Sequence, residues 1–150
     1  MSTPSKKIIH VAVGIVMNAD NQILLAKRAD HQHQGGLWEF PGGKVEQGES
    51  VMDALVREFK EEVNITITRA QAFMTISHDY GDKAVMLDVW LSREFTGDAN
   101  GNENQPIAWV PVTELAGYDF PQANQAIIEK LITEFVDAPS EVTSTSASFS

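Results

Sequence analysis

The 150-residue chain contains no cysteine and no long apolar run. Without thiols it can form neither disulfides nor thiolate metal sites, which fits a reducing compartment. No stretch approaches the roughly 20 apolar residues that a membrane-spanning helix needs, and no apolar signal-peptide core follows the N-terminal MSTPSKK. These absences predict a cytoplasmic protein that does not bind membranes.

Positive charge is also scarce, because 11 Lys and Arg residues oppose 21 Asp and Glu residues and give a net charge of −10. The cations are scattered, so the sequence offers no basic stripe for a nucleic acid polymer. A small anionic ligand is compatible with this charge if a bound metal ion supplies the missing positive charge. Free nucleotides are therefore favoured over DNA or RNA.

The length and an apolar fraction of 43% indicate one small globular domain, and a monomer is expected. Residues 1–7 are predicted to form a short N-terminal extension and residues 8–136 the domain. The Ser/Thr-rich residues 137–150 are predicted to be a disordered tail.

Apolar-rich runs alternate with turn-forming segments along the domain. Residues 8–17 and 22–28 flank the turn-forming residues 18–21, which predicts a β-hairpin. Further strands are predicted at residues 65–77, 84–91 and 107–110, a loop at 95–104, and a helix at 122–136. Mixed strands with two helices indicate a layered α/β domain.

The other helix is predicted to begin near Val51 and to end before Asn64. Ser50 followed by Asp53 resembles a capping box, and Asn suits a left-handed C-cap. Apolar residues recur at offsets of three and four and form one stripe: Met52, Leu55, Val56, Phe59 and Val63.

Glu58, Glu61 and Glu62 project together from a different flank, since successive residues are about 100° apart. Like charges at i and i+4 repel unless a cation compensates, and Arg57 could orient one carboxylate through a forked hydrogen bond. With the turn-prone residues 41–43 nearby, this group suits a hard divalent cation shared with substrate phosphates. The alternative is a solvated acidic helix face.

The stretch GKVEQGESVMDALVREFKEEVNI, residues 43–65, resembles the Nudix box G-x5-E-x7-R-E-U-x-E-E-x-G-U, where U is apolar. Asn64 replaces a glycine of this pattern, and Asn tolerates positive φ better than most residues. The resemblance extends to the MutT branch, which hydrolyses oxidised guanine nucleotides, through VAVGIVMNADNQILLAKR, LWEFPGGK, NENQPIAWVP and YDFPQAN. It covers about residues 8–135 and implies a Nudix α/β/α sandwich with a mixed central sheet.

The family pattern implies a divalent-metal site for Mg²⁺, with Mn²⁺ as a substitute. Its main ligands would be helix glutamates and a glycine carbonyl: Glu58, Glu61, Glu62, and Gly42 or Gly43. Arg57 would hold a glutamate in place rather than touch the substrate, and Glu49 would have a supporting role.

Glu103, in the loop GNENQP, matches a loop carboxylate that approaches the metal centre in MutT-like proteins. It would be an additional ligand or the general base that deprotonates water. The alternative is a solvent-facing loop glutamate. The base could instead be Glu58 or Glu61, because assigning a general base requires geometry.

Asn124, in DFPQAN, matches the position that contacts the oxidised guanine in MutT-like enzymes. Its carboxamide can donate to and accept from a purine edge, whereas a helix cap is the alternative role. Arg28 resembles the family residue that meets phosphate or purine, with an ordinary strand-end charge as the alternative. Three aromatic residues could stack on a base, although core packing is favoured for each: Phe40, Phe120 and Tyr80.

The resemblance implies a nucleoside triphosphate pyrophosphohydrolase that acts on 8-oxo-dGTP and related nucleotides. Such an enzyme would sanitise the nucleotide pool and prevent mutation. One alternative is another base, such as a pyrimidine, and a second is a catalytically silent nucleotide sensor, which would have no need of the complete glutamate set. A third alternative, a structural acidic helix, leaves Arg57 and the glycine turn unexplained.

Overall fold

The computed structural model describes residues 7–28, 36–103 and 105–136. The predicted tail and all but Lys7 of the predicted N-terminal extension lie outside the described residues. The described ranges contain these strands and α-helices: β1 Lys7–Val16, β2 Gln22–Lys27, β3 Trp38–Glu39, β4 Gly42–Lys44, α1 Val51–Val63, β5 Thr66–Asp79, β6 Lys83–Thr96, β7 Ile107–Pro111 and α2 Gln125–Phe135. None of the helices in these ranges is long and apolar enough to cross a membrane.

The strands form two sheets. In the larger sheet, with order β4-β1-β6-β5, β1 is parallel to β6 and antiparallel to β4, and β5 is antiparallel to β6. The smaller sheet is antiparallel and has the order β3-β2-β7. The predicted α/β class with a mixed central sheet is therefore confirmed.

The two faces of β1 pack against different helices, because successive side chains of a strand point to opposite sides. Ala12 and Val16 belong to the apolar cluster that contains the buried face of α1. Val13 and Ile15 belong to the cluster that contains the buried face of α2. The larger sheet thus lies between two helical layers, as the resemblance implies.

The predicted hairpin of residues 8–28 is wrong. β1 and β2 lie in different sheets, and within the described ranges a single isolated bridge connects Met17, which follows β1, with Ile23 of β2. The turn itself forms, since Asn18 Oδ1 accepts hydrogen bonds from the backbone N–H groups of Asp20 and Gln22, both at 3.0 Å. β1 instead pairs with β6 along its whole length and with β4 on part of its other edge, so it is an inner strand of the larger sheet.

Helix α1 has the bounds and caps that the sequence predicts. Ser50 Oγ accepts a hydrogen bond from the Asp53 N–H at 3.0 Å, and Asn64 adopts the left-handed conformation with φ 61°. The predicted strands are also present, although β6 extends to Thr96, inside the predicted loop. The last predicted helix is divided into a short 3₁₀ turn, Gln122–Asn124, and α2.

Gly14 is the position at which α1 packs directly on the backbone of β1. A Cβ at Gly14 would lie 2.6 Å from Cζ of Phe59, whose side chain is fully buried. We expect Gly14→Ala to lower the free energy of unfolding by about 1–3 kcal/mol through overpacking, as measured by urea denaturation. Gly117→Ala is the control, because a Cβ there meets no atom within 4 Å; an equal loss in both variants would contradict this account.

Candidate active site

Glu58 and Glu62 lie one turn apart on α1, where Glu58 influences the ionisation of Glu62. Burial is the main cause that raises the pKa of Glu62 well above its usual range, followed by the hydrogen bond and charge of Glu58. The charges of Glu39 and Glu103 raise this pKa further. Carboxylates from α1, β3 and the loop before β7 therefore all affect the ionisation of Glu62.

Glu39 joins this group from the smaller sheet. Burial raises its pKa above the usual range, and the adjacent Arg28 opposes that shift. Arg28 Nη1 donates a hydrogen bond to Glu39 Oε1 at 2.6 Å. The pair places a cation within the acidic region, at the end of β2.

Arg57 restrains the carboxylates around it. Its Nε and Nη2 donate to both oxygens of Glu49, at 2.7 and 3.0 Å, and its Nη1 donates to Glu58 Oε2 at 2.7 Å. Nη2 also donates to the Lys44 carbonyl at 3.1 Å. The hydrogen bond from Arg57 is the main cause that lowers the pKa of Glu49 to about 2. The guanidinium is thus bonded within the protein, where it fixes the orientation of Glu58.

Glu61 is placed differently from its two neighbours. Its side chain is 61% exposed, and its carboxylate lies 3.7 Å from Arg57 Nη1. The structure therefore brings Glu58 and Glu62 together and leaves Glu61 at the edge of the group.

Gly43 lies directly against the carboxylate of Glu58, and a Cβ there would be 2.5 Å from Glu58 Oε2. A side chain at this position would fill the space in front of Glu58, so only glycine leaves the space open for a ligand. Gly42 precedes it in β4, which is paired antiparallel with β1.

The donor set fits a divalent cation. No described Lys or Arg side chain forms an ion pair with Glu62, whereas the carboxylate-bearing Glu58 lies one turn away on the same helix. Within the described ranges, no three His, Asp or Glu side chains are arranged so that they could hold a metal ion by themselves. Glu58 and Glu62 lie one turn apart on α1, the backbone of Gly43 lies against the Glu58 carboxylate, and hard divalent ions prefer oxygen donors of these kinds.

A cavity of about 280 Å³ adjoins the two glycines. Arg28, Phe40 and Asn124, three of the predicted substrate residues, line it. The other residues that line it are Val11, Val13, Glu39, Gly42, Gly43, Lys44, Tyr80, Leu87, Pro121 and Ala123. Another cavity, of about 320 Å³ along β5 and β6, is lined by no predicted site residue.

Phe120 is buried behind the cavity rather than in its wall. Its ring stacks on that of Phe40, with centroids 5.2 Å apart, and the two residues are 7% and 4% exposed. Core packing, the role favoured for both from sequence, is therefore present, and Phe40 also contributes to the cavity wall.

Asn124 occupies the N-cap position of α2, but its side chain makes no capping hydrogen bond. Its Nδ2 lies 3.5 Å from the Pro121 carbonyl, a long contact. The side-chain capping role considered from sequence is therefore not observed, and Asn124 is one of the residues that line the cavity.

Sequence reasoning missed Glu39 and Lys44 and misplaced Tyr80. The core position predicted for Tyr80 is wrong, because it is 56% exposed at the cavity, with its ring centroid 4.4 Å from that of His78. Glu39 and Lys44 flank the glycine turn in the segment LWEFPGGK, so their proximity to the turn was the available signal.

Comparison with known proteins gives concordant matches. A family model described as a NUDIX domain matches residues 12–130. The 8-oxo-dGTP diphosphatase of Escherichia coli is 39% identical over 125 residues, which cover 83% of this chain and 97% of that protein. The CTP pyrophosphohydrolase of Escherichia coli is 35% identical over 123 residues, which cover 82% and 90% of the two chains. A solved MutT structure, from work on Aliivibrio salmonicida and Vibrio cholerae, has a TM-score of 0.79 at 44% identity, over 86% of this chain and all of that one.

The buried position of Glu62 predicts how the stability of the metal-free protein depends on pH. In the unfolded chain, with a pKa near 4.5, Glu62 has released its proton at pH values at which the folded state still keeps it. Unfolding then releases a proton, so this contribution to the free energy of unfolding decreases as the pH rises above about 4.5, until the folded pKa is passed.

We expect Glu62→Gln to remove this contribution and to raise Tm at about pH 8 in the presence of EDTA, by roughly 2–4 °C for each kcal/mol removed. Glu129→Gln is the matched control, because Glu129 is exposed on α2. Thermal denaturation across the pH range checks both variants. A pH dependence of Glu62→Gln equal to that of the wild type would contradict the assigned environment.

Proposed function

Because this chain belongs to the Nudix hydrolase family, we propose that it hydrolyses nucleoside triphosphates to a monophosphate and pyrophosphate, with a preference for 8-oxo-dGTP. The observation that carries this proposal is that the Glu58–Glu62 pair lies beside the glycine backbone, which borders a cavity lined by Arg28, Lys44 and Asn124. The name of the relative with 39% identity supports the choice of base.

Nudix hydrolases generally need a divalent metal ion, and the proposed ion is Mg²⁺, with Mn²⁺ as a substitute. Glu58 and Glu62 would hold it with the carbonyl of Gly42 or Gly43, and Glu61 and Glu103 are the proposed additional ligands. When bound, such an ion lowers the pKa of coordinated water and neutralises phosphate oxygens.

The proposed reaction breaks the bond between the α-phosphate and β-phosphate groups by attack of water on phosphorus. Glu103 is the first candidate to take the proton of that water, and Glu58 or Glu61 are the others. Arg57 is bonded to both Glu49 and Glu58, so its proposed role is to hold Glu58 rather than to contact the substrate.

The cavity offers separate groups for the phosphates and the base. Arg28 and Lys44 supply positive charge for phosphate oxygens in an otherwise acidic region. The carboxamide of Asn124 can donate to and accept from one base edge, and the ring of Phe40 supplies an apolar wall. Phe120 would support that wall through its stacked ring.

A second candidate is a pyrimidine triphosphate, and the 35% identical CTP pyrophosphohydrolase favours it. A catalytically silent sensor is less well supported, since the relatives with 39% and 35% identity are both named as hydrolytic enzymes. The proposed partners are nucleotides alone, with no nucleic acid polymer and no membrane, and the proposed active form is a monomer. The cytoplasm, where free nucleotides are consumed by replication, is the proposed place of action.

Turnover of a nucleotide panel with Mg²⁺ tests the activity, with identification of the products. We expect pyrophosphate release, fastest with 8-oxo-dGTP. Glu58→Gln should lower kcat by roughly 10²–10⁴-fold and preserve Tm, whereas Glu114→Gln, at an exposed residue outside the site, should change neither. Fastest turnover of CTP would select the second candidate, and near-normal activity of Glu58→Gln would exclude its proposed role.

Asn124→Ala tests how the base is recognised. Loss of a bidentate contact is worth about 1–3 kcal/mol, so the ratio of kcat/KM for 8-oxo-dGTP over dGTP should fall by roughly tenfold or more. Gln122→Ala, in the same 3₁₀ turn but outside the cavity wall, is the matched control. An unchanged ratio in Asn124→Ala would show that selectivity arises elsewhere.

A further inference from the structure

The loop that carries Glu103 is bonded to the C-terminal end of α1. The last carbonyls of a helix have no partner within the helix. The Asn100 backbone N–H donates to the Val63 carbonyl at 2.9 Å, and the Asn102 backbone N–H donates to the Glu62 carbonyl at 3.0 Å. This loop therefore caps the helix that carries the proposed metal ligands.

Two carboxamide side chains strengthen the connection. Asn102 Nδ2 donates to the carbonyls of Lys60 and Glu61, at 3.2 and 3.1 Å. Gln105 Nε2 donates to the Glu62 carbonyl at 3.1 Å, and Gln105 Oε1 accepts from the Glu103 N–H at 2.8 Å. One side chain thus bonds the backbone of Glu62 at one end and that of Glu103 at the other.

Asn64, the residue that departs from the Nudix pattern, adds a link to the same loop. Its Nδ2 donates to the Asp98 carbonyl at 3.2 Å. A glycine could adopt the same left-handed conformation but would lack this hydrogen bond. The departure therefore connects the loop to α1 at one more point.

These bonds have a consequence for the carboxylates. Gln105 forms hydrogen bonds with the backbone of both Glu62 and Glu103. The charge of Glu103 also raises the pKa of Glu62. A loop glutamate without such bonds would lose conformational entropy each time it bound an ion. Because the bonds of Gln105 already restrain the backbone of Glu103, ion binding has to order only its side chain, and the entropy loss is smaller.

We propose that Gln105 and Asn102 are positioning residues, which hold Glu103 beside Glu62 so that the loop and the helix bind a divalent cation together. This inference rests on the proposed function, since it requires Glu103 to be a ligand. A merely structural cap would affect the stability of the fold and leave the affinity for the ion unchanged.

Binding of Mn²⁺ to the full chain without substrate separates the two roles, with free Mn²⁺ measured by electron paramagnetic resonance. Gln105→Ala should weaken the affinity by about tenfold, the effect typical of a residue that supports a metal ligand. Glu103→Gln should weaken it at least as much. The double variant should bind no more weakly than Glu103→Gln alone, because Gln105 would act through Glu103.

Asn100→Ala is the matched control, because its side chain is exposed and its bond to α1 comes from the backbone; we expect its affinity for Mn²⁺ to equal that of the wild type. Asn102→Ala leaves the hydrogen bond to the Glu103 N–H in place and should weaken Mn²⁺ binding by less than tenfold. This variant tests the inference if Gln105→Ala fails to fold.

Wild-type affinity in both Gln105→Ala and Asn102→Ala, with weakened binding in Glu103→Gln, would overturn this inference and leave the proposed function intact. Fully additive losses in the double variant would also overturn it. No Mn²⁺ binding by the wild type would overturn the proposed function and this inference together.

Discussion

The carboxylates of Glu58 and Glu62 repel each other when both are ionised, and α1 keeps them one turn apart beside the central sheet. Their surroundings increase the cost of ionisation, because burial and the nearby charges of Glu39 and Glu103 favour a protonated Glu62. Arg57 compensates Glu58, and no described Lys or Arg side chain forms an ion pair with Glu62. A divalent cation offsets this repulsion directly, so the glycine turn, the restrained arginine and the capped helix can be understood as parts of one cation-binding arrangement.

The elements that local signals determine were predictable. Both caps and the buried stripe of α1 follow from side chains within a few positions of each other, as Ser50 and Asn64 illustrate. The pairing of strands was not predictable in the same way. The residues at 18–21 predict a turn, but β1 pairs with β6, which lies 76 residues further along the chain (Lys7 opposite Lys83). A parallel partner at that distance leaves no local signal, and the chain therefore appeared to form a hairpin.

The candidate site was predictable where a long motif fixed the spacing, as for Glu58 and Glu62, and less so where distant segments meet. Glu39 joins the acidic group from the second sheet, and that sheet order could not be read from sequence. Tyr80 is aromatic, and aromatic residues are usually buried, yet its place in the turn between β5 and β6 exposes it at the cavity. Gln105 lies in the segment NENQPIAWVP, but no role for it was predicted, because its hydrogen bonds join the backbone of α1 to that of the loop.

The central claim concerns where a divalent ion binds, and a crystal structure of the protein with Mn²⁺ tests it most directly. The account predicts an anomalous scattering peak between the carboxylates of Glu58 and Glu62, within coordination distance of the carbonyl of Gly42 or Gly43. A peak elsewhere on the protein would contradict the account. The absence of any peak at saturating Mn²⁺ would also contradict it, provided that protein from dissolved crystals still cleaves nucleotides.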